Sequence, residues 1–198
     1  VEVNDLLVMQ EPSHGEVIWC ATRNAGLIKL LPRENVSIRF DTEQGLASQQ
    51  VFALAAQADS ATGGIWIGTN RGIVRHQPNL TPPILEPLRM VADKIYTPDY
   101  LTTELRFPAY QKNYLFEFAG LGSKTFPSQF QYEYSLEEEN RGAIKKTFIT
   151  SDPQFPLPTI EPGTYKITAR AISRDLVYSR PFVFKLWVSP EAVSWTTI

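Results

Sequence analysis

Few residues in this chain have the type and spacing that covalent or metal chemistry needs. His14 and His76 are the only histidines, and neither has cysteines or carboxylates at ligand spacing, so no metal set is expected. Cys20 is the single cysteine; flanked by Trp19 and Ala21, it reads as a buried strand residue, and no intrachain disulfide can form. Gly120-Leu121-Gly122-Ser123-Lys124-Thr125 has the outline of a phosphate loop. The glycine before the lysine is missing and no helical pattern follows, so a β-hairpin loop is expected instead. Glu137-Glu138-Glu139 would work as acid and base only if buried and opposed, and three in a row at a strand end read as a solvated turn. What remains is hydrogen-bonding chemistry, in short polar clusters at Arg23-Asn24, Ser48-Gln49-Gln50 and Asn70-Arg71. Amides, a hydroxyl and guanidinium groups suit hydroxyl-rich or acidic sugars. Turns are also polar for structural reasons alone, and that reading stands beside the functional one. No catalytic residue and no cofactor is expected.

The composition narrows the class. Hydrophobic residues make up 43% and aromatics 12% of the 198 residues, against 20% charged, a balance of folded, strand-rich protein. Formal charge is −2 with 19 scattered Lys and Arg, so no basic face invites nucleic acid or an anionic membrane. No apolar run approaches the ~20 residues that span a bilayer, and the start Val1-Glu2-Val3-Asn4-Asp5 looks trimmed. Membrane attachment is therefore expected only through segments absent from this chain.

The elements that must carry the polar clusters come from a repeat. Val17-Ile18-Trp19-Cys20-Ala21-Thr22 returns as Gly64-Ile65-Trp66-Ile67-Gly68-Thr69, and each copy is followed by a polar turn and then Gly26-Leu27-Ile28-Lys29 or Gly72-Ile73-Val74-Arg75. A period near 45 residues of short β-rich segments describes a four-stranded propeller blade. Strands are expected near 4–10, 17–22, 26–31 and 36–41, then 50–57, 65–69 and 72–77. Trp19 and Trp66 are expected to fill the space between blades, and Gly68 and Gly72 to meet close backbone approach or positive φ. Gly45-Leu46, Val51, Ile65-Trp66-Ile67-Gly68-Thr69 and Gly72-Ile73 resemble the propeller repeat of bacterial two-component regulators.

Past Pro78, Pro82, Pro83 and Pro87 the repeat stops. Phe130, Tyr132, Tyr134 and Leu136 alternate with Gln131, Glu133, Ser135 and Glu137; Tyr165, Ile167, Ala169 and Ala171, and then Phe182, Phe184, Leu186 and Val188, repeat the pattern. One face is core and the other solvent. With segments near 88–96, 102–107, 113–119 and 144–150 these make about seven strands, the number of an immunoglobulin or fibronectin-III-like sandwich. Asn113 to Ala119, Tyr132-Glu133-Tyr134-Ser135-Leu136 and Pro162-Gly163-Thr164-Tyr165-Lys166-Ile167 are similar to the triple-tyrosine domain that follows regulator propellers. Tyr132, Tyr134 and Tyr165 are expected in the core with bonded hydroxyls.

The expected fold is therefore all-β: two blades of an incomplete propeller over 1–80, then a sandwich over 84–190. Two blades cannot close a ring, which takes about four, so the parent protein is expected to be longer upstream. The resemblances imply the C-terminal part of the sensor region of a bacterial two-component-type receptor, on the periplasmic or extracellular side of the inner membrane. They imply that a propeller recognises a ligand, often a glycan product, and that the sandwich relays the event. In blades of this order the outer-to-inner connection and the second hairpin turn emerge together, which makes Ser48, Gln49, Gln50, Asn70, Arg71, Arg23 and Asn24 the candidate ligand residues. Bare blade faces and edges are expected to drive homodimerisation or self-association. The alternative is a secreted adhesion or carbohydrate-binding module without signalling output; a membrane span and kinase downstream would separate the two. A propeller hydrolase would need His and carboxylates on the blade loops, and these are sparse.

Overall fold

The computed structural model describes residues 1–11, 14–57, 64–101, 104–108, 113–139, 146–157 and 160–190. The chain divides into two compact units, Val1–Leu80 and Thr81–Ile198, and its described helices are short 3-10 turns.

The first unit holds two antiparallel sheets. β1 (Val3–Glu11), β2 (Gly15–Thr22), β3 (Leu27–Leu31) and β4 (Val36–Phe40) form one in simple meander order; β5 (Val51–Ala56), β6 (Ile65–Thr69) and β7 (Gly72–His76) form the other. The two copies of the repeat thus fold as equivalent hairpins, β2–β3 and β6–β7. Each hairpin turn is closed by the same device. The hydroxyl of Thr22 donates to the Gly26 carbonyl (2.6 Å) and that of Thr69 to the Gly72 carbonyl (2.8 Å). Gly26 (φ 75°) and Gly72 (φ 121°) adopt the positive φ that the turn demands. Gly26 is also pressed against the chain, since a Cβ there would sit 2.1 Å from the Phe40 carbonyl oxygen. The expectation for Gly68 is corrected: its φ is not positive, and a Cβ would meet Ala53 only at 3.7 Å, an ordinary contact.

Register shows which residues share a face. Trp19 lies opposite Leu7 and Lys29 in its sheet, and it is fully buried, with Phe40 at 5.7 Å and the His76 ring of the second sheet edge-on at 5.3 Å. Ile65 and Ile67, opposite His76 and Val74, are also fully buried. Side-chain-to-backbone hydrogen bonds join the sheets: Asn4 Nδ2 donates to the Val51 carbonyl (2.7 Å) and the Leu54 N–H to Asp5 Oδ2 (2.8 Å). Cys20 is buried on the other face, where burial pushes its thiol pKa up.

Trp66 departs from expectation. It is 43% exposed, and its only described cation contact is Arg75 at 5.9 Å from the ring. The strand alternation that turns Ile65 and Ile67 toward the first sheet turns Trp66, Arg75 and Ile73 away from it, onto a face that the described residues of the first unit leave uncovered. Leu6 and Val8 are exposed on the far face of the first sheet for the same reason. The repeated tryptophans are equivalent in sequence, but among the described residues only Trp19 has a neighbouring sheet to bury it.

The second unit is a β-sandwich. One sheet has the order β10 (Leu105–Pro108), β16 (Phe182–Ser189), β15 (Gly163–Ile172), β12 (Gln131–Glu138), β13 (Lys146–Thr150); the other has β14 (Gln154–Leu157), β11 (Tyr114–Leu121), β8 (Ile84–Val91), β9 (Ile95–Tyr96). All pairs are antiparallel except β10 with β16. A single core includes Phe116, Phe118, Phe130, Tyr132, Tyr134, Tyr165, Ile167, Phe184 and Leu186, the residues that the alternation assigned to one face. Two strands were not anticipated. β14 runs through Pro156, and the segment expected at 88–96 is split, with β9 only two residues long.

Two contrasts test this account of the first unit. Trp19→Ala should cost about 3–5 kcal/mol by the large-to-small rule, whereas Trp66→Ala should cost less than about 1 kcal/mol in this chain; urea unfolding of the first unit reads both. Gly26→Ala should destabilise by more than the roughly 1 kcal/mol typical of a positive-φ glycine, because its Cβ has no room. Gly72→Ala, whose Cβ would meet open space, should stay near that figure. Equal losses at the two glycines would contradict the close approach to Phe40.

Candidate functional site

The polar clusters of the first unit converge. Asn24, Thr42, Ser48, Gln49, Gln50, Asn70 and Arg71 line one open depression of about 430 Å³. Asn24 comes from the β2–β3 turn and Asn70 and Arg71 from the equivalent β6–β7 turn; Ser48, Gln49 and Gln50 lie on the connection between the sheets. Local hydrogen bonds hold the connection against both turns. The Gly26 N–H donates to the Gln49 carbonyl (2.9 Å), the Asn70 N–H to the Gln50 carbonyl (3.3 Å), and Asn70 Nδ2 to Gln50 Oε1 (2.9 Å). Ser48 is buried, and its Oγ accepts from the Gln50 N–H (3.1 Å).

Six of the seven candidates therefore share one surface. Arg23 does not line it: its guanidinium donates to both carboxylate oxygens of Glu2, at 3.0 and 3.1 Å. Thr42 was missed. It opens the 3-10 turn Thr42–Gln44, in which Asp41 and Gln44 form a reciprocal capping box; the Asp41-x-x-Gln44 spacing is the signal that could have found it. Arg71 is the one ionic side chain in the lining, and the rest are amides and hydroxyls. Such a surface offers directional donors and acceptors with one positive charge, and no carboxylate or imidazole to act as base or nucleophile.

The remaining motifs do not assemble into chemistry. His14 stands 3.5 Å from Glu34, and His76 packs on Trp19 and Phe40. Among the described residues no group of three or more His, Cys, Asp and Glu could hold a metal. Gly120 to Thr125 leaves the end of β11 and crosses to β12 in the opposite sheet, so it is an inter-sheet connection and not the hairpin loop expected. In the acidic run, Glu139 pairs with Lys185 at 2.8 Å.

The sandwich carries a second, larger cleft of about 720 Å³ at the open side where β13 and β14 are the sheet edges. Tyr134, Phe148, Phe155 and Tyr165 provide aromatic walls, with Lys146, Asp152 and Glu161 at the polar positions. The tyrosine hydroxyls of this unit are largely committed. Tyr132 accepts from the Gly120 N–H (3.1 Å), Tyr134 donates to the Asp152 carbonyl (3.4 Å) and Tyr165 to the Glu161 carbonyl (2.8 Å). Burial raises the phenol of Tyr134 well above its usual range, and raises Tyr114 to about 12 with help from Asp93. Tyr96 also rises to about 12, through burial first and then its hydrogen bond to Asp93.

No family model and no curated protein matches this sequence. Among solved structures the chain is similar to the extracellular domain of the hybrid two-component system BT3049 from B. thetaiotaomicron, with 13% identity and a TM-score of 0.55 over 92% of this chain and 26% of that one. The extracellular domain of a one-component system from the same organism, BT4673, gives 15% identity, TM-score 0.44, 96% of this chain and 26% of that one. A second structure of BT4673 gives 11% identity, TM-score 0.42, 93% and 36%. The first likeness is one of fold, and the chain spans about a quarter of the length of that neighbour.

The raised phenols set the alkaline behaviour. Below about pH 10 the tyrosines are neutral in both states; above it the unfolded chain, with ordinary phenols, loses protons first. Stability should therefore fall as pH rises from about 10 through about 12, the value at Tyr114 and Tyr96. Tyr114 Oη is buried without a hydrogen-bond partner among the described residues, so Tyr114→Phe should cost little at neutral pH and flatten the alkaline slope. An unchanged slope in urea titrations at pH 9 to 11.5 would contradict this.

Proposed function

We propose that this chain is the C-terminal part of the sensor region of a bacterial two-component-type receptor, lying on the periplasmic or extracellular side of the membrane. In this reading the two sheets of the first unit are neighbouring propeller blades, their polar depression contributes to recognition of a hydroxyl-rich extracellular ligand, and the sandwich relays the event to paired receptors. The role is binding, not catalysis. The observation that carries the reading is the convergence of Asn24, Asn70 and Arg71, from equivalent turns of a repeat, with Ser48, Gln49 and Gln50 on one surface.

Three features support the blade assignment. The meander order of the first sheet, the adjacency of the first strands β1 and β5 through Asn4 and Asp5, and the uncovered apolar faces bearing Leu6 and Val8 on one sheet and Trp66 and Ile73 on the other are what two members of a radial array require. The likeness in fold to the BT3049 extracellular domain agrees. No helix among the described residues is long and apolar enough to cross a membrane.

The test is ligand response in the full-length receptor. Arg71→Ala and Gln49→Ala should each weaken apparent affinity about tenfold, the effect of ~1.4 kcal/mol expected when a hydrogen bond to ligand is lost. Arg23→Ala, outside the depression, should leave it unchanged. Undiminished affinity in both depression variants would reduce these residues to ordinary turns.

A further inference from the structure

Among the described residues the sandwich has four edge strands, and three are guarded. β14 contains Pro156, β10 ends on Pro108, and β9 is two residues long and followed by Thr97-Pro98. Proline denies a donor to an incoming strand, and very short edges offer little to pair. β13 has neither protection. Over Lys146–Thr150 it pairs only with β12 among the described residues, and its residues are exposed or nearly so, including Phe148 at 50% and Ile149 at 41%. Beneath it opens the aromatic cleft of about 720 Å³, to which Lys146, Phe148 and Thr150 turn their side chains.

We propose that β13 pairs with the β13 of a second copy of this chain, antiparallel about a twofold axis at Phe148, so that each copy closes the mouth of the other's cleft. An antiparallel neighbour related by a twofold normal to the sheet keeps its inward face inward, and both Phe148 rings then lie over the joined clefts. The charges agree with this occupant. In a register centred on Phe148, Lys146 of one copy faces Thr150 of the other, the last residue of β13, and so comes to the mouth of a cleft lined by Glu138, Asp152 and Glu161. A parallel pairing would set Lys146 beside its own copy. On the outer face the same register opposes Thr147 and Ile149, a β-branched pair that suits a strand interface. The inference rests on the sensor reading only for its consequence, a sandwich pair that signalling can bias, and it is tested without ligand.

Sedimentation equilibrium of the full chain at tens of micromolar should give dimers, with Phe148→Glu raising the dissociation constant at least tenfold. Because Phe148 is half exposed, this variant keeps its fold, which its thermal unfolding checks. Phe148→Cys should form an intermolecular disulfide on mild oxidation, since residues paired on the axis have Cα atoms about 4.5–5.5 Å apart. Lys146→Cys, about 13 Å from its own copy in this register, should not, and the native chain with only buried Cys20 is the control. A monomer at these concentrations, an unchanged dimer in Phe148→Glu, or equal cross-linking at 146 and 148 would each overturn the proposal; an unchanged dimer would assign association to the bare faces of the first unit. None of these results bears on the Arg71 and Gln49 variants, so the two readings fail separately.

Discussion

A sheet of this first unit carries apolar side chains on both faces and can bury a face only against another sheet. Within residues 1–80 one such layer exists, between the first and second sheets, and most other features of the unit follow from it. Trp19 fills its centre with Phe40 and His76 around the ring, and Ile65 and Ile67 cover it from the second sheet. At roughly 25 cal/mol per Å² this apolar burial is the main stabilising term available to the unit. The layer also sets the distance between the two hairpins, and so brings Asn24 and Asn70 to the same surface.

The layer contains an unusual polar element. Lys29 Nζ donates to Glu11 Oε2 at 2.7 Å with both side chains fully buried, and the ammonium lies 5.3 Å from the centre of the Trp19 ring. Glu11 Oε1 has no hydrogen-bond partner among the described residues. Desolvation of two charges offsets most of their attraction, so the pair is a poor source of net stability. It is, however, costly to break singly, by about 3–5 kcal/mol. Its geometric effect is to tie the end of β1 to β3 across β2, beside the ring on which the layer is built. An apolar layer tolerates sliding, whereas a buried pair has one register in which both charges are met.

The strands were legible because their periods are plain. Phe130, Tyr132 and Tyr134, or Tyr165, Ile167 and Ala169, can lie on one face only in extended chain, and all are buried. β14 was not legible: Gln154-Phe155-Pro156-Leu157 sits between Pro153 and Pro158, and proline argues against a strand unless the strand is an edge, a property of the whole sheet. Trp66 failed for a related reason. Sequence reports that Trp66 matches Trp19, but burial depends on what stands opposite, and for Trp66 no sheet among the described residues of the first unit does. The polar depression was legible as three loops because a repeat places equivalent turns on one side. Thr42 was not, because its position depends on the Asp41 cap and the left-handed Gly45 (φ 99°) that fold the connection back. Arg23 looked equivalent to Arg71 from turn position alone, and it was withdrawn by a carboxylate at Glu2 that lies twenty-one residues away.

The two units differ in how they complete themselves. The sandwich encloses its own aromatic core and, among the described residues, leaves β13 as its unguarded edge. Among its described residues the first unit buries one layer and leaves two apolar faces bare. Its depression is lined from both sheets, and hence its shape is only as fixed as the layer that holds them together. Covering the faces around Leu6 and Val8, and around Trp66 and Ile73, would restrain the same two sheets from outside. The binding proposed at Asn24, Gln49 and Arg71 is then thermodynamically linked to that covering, since whatever tightens the sheet pair lowers the ordering cost at these residues. The proposed ligand should for that reason bind this chain alone less tightly than a protein in which both faces are packed.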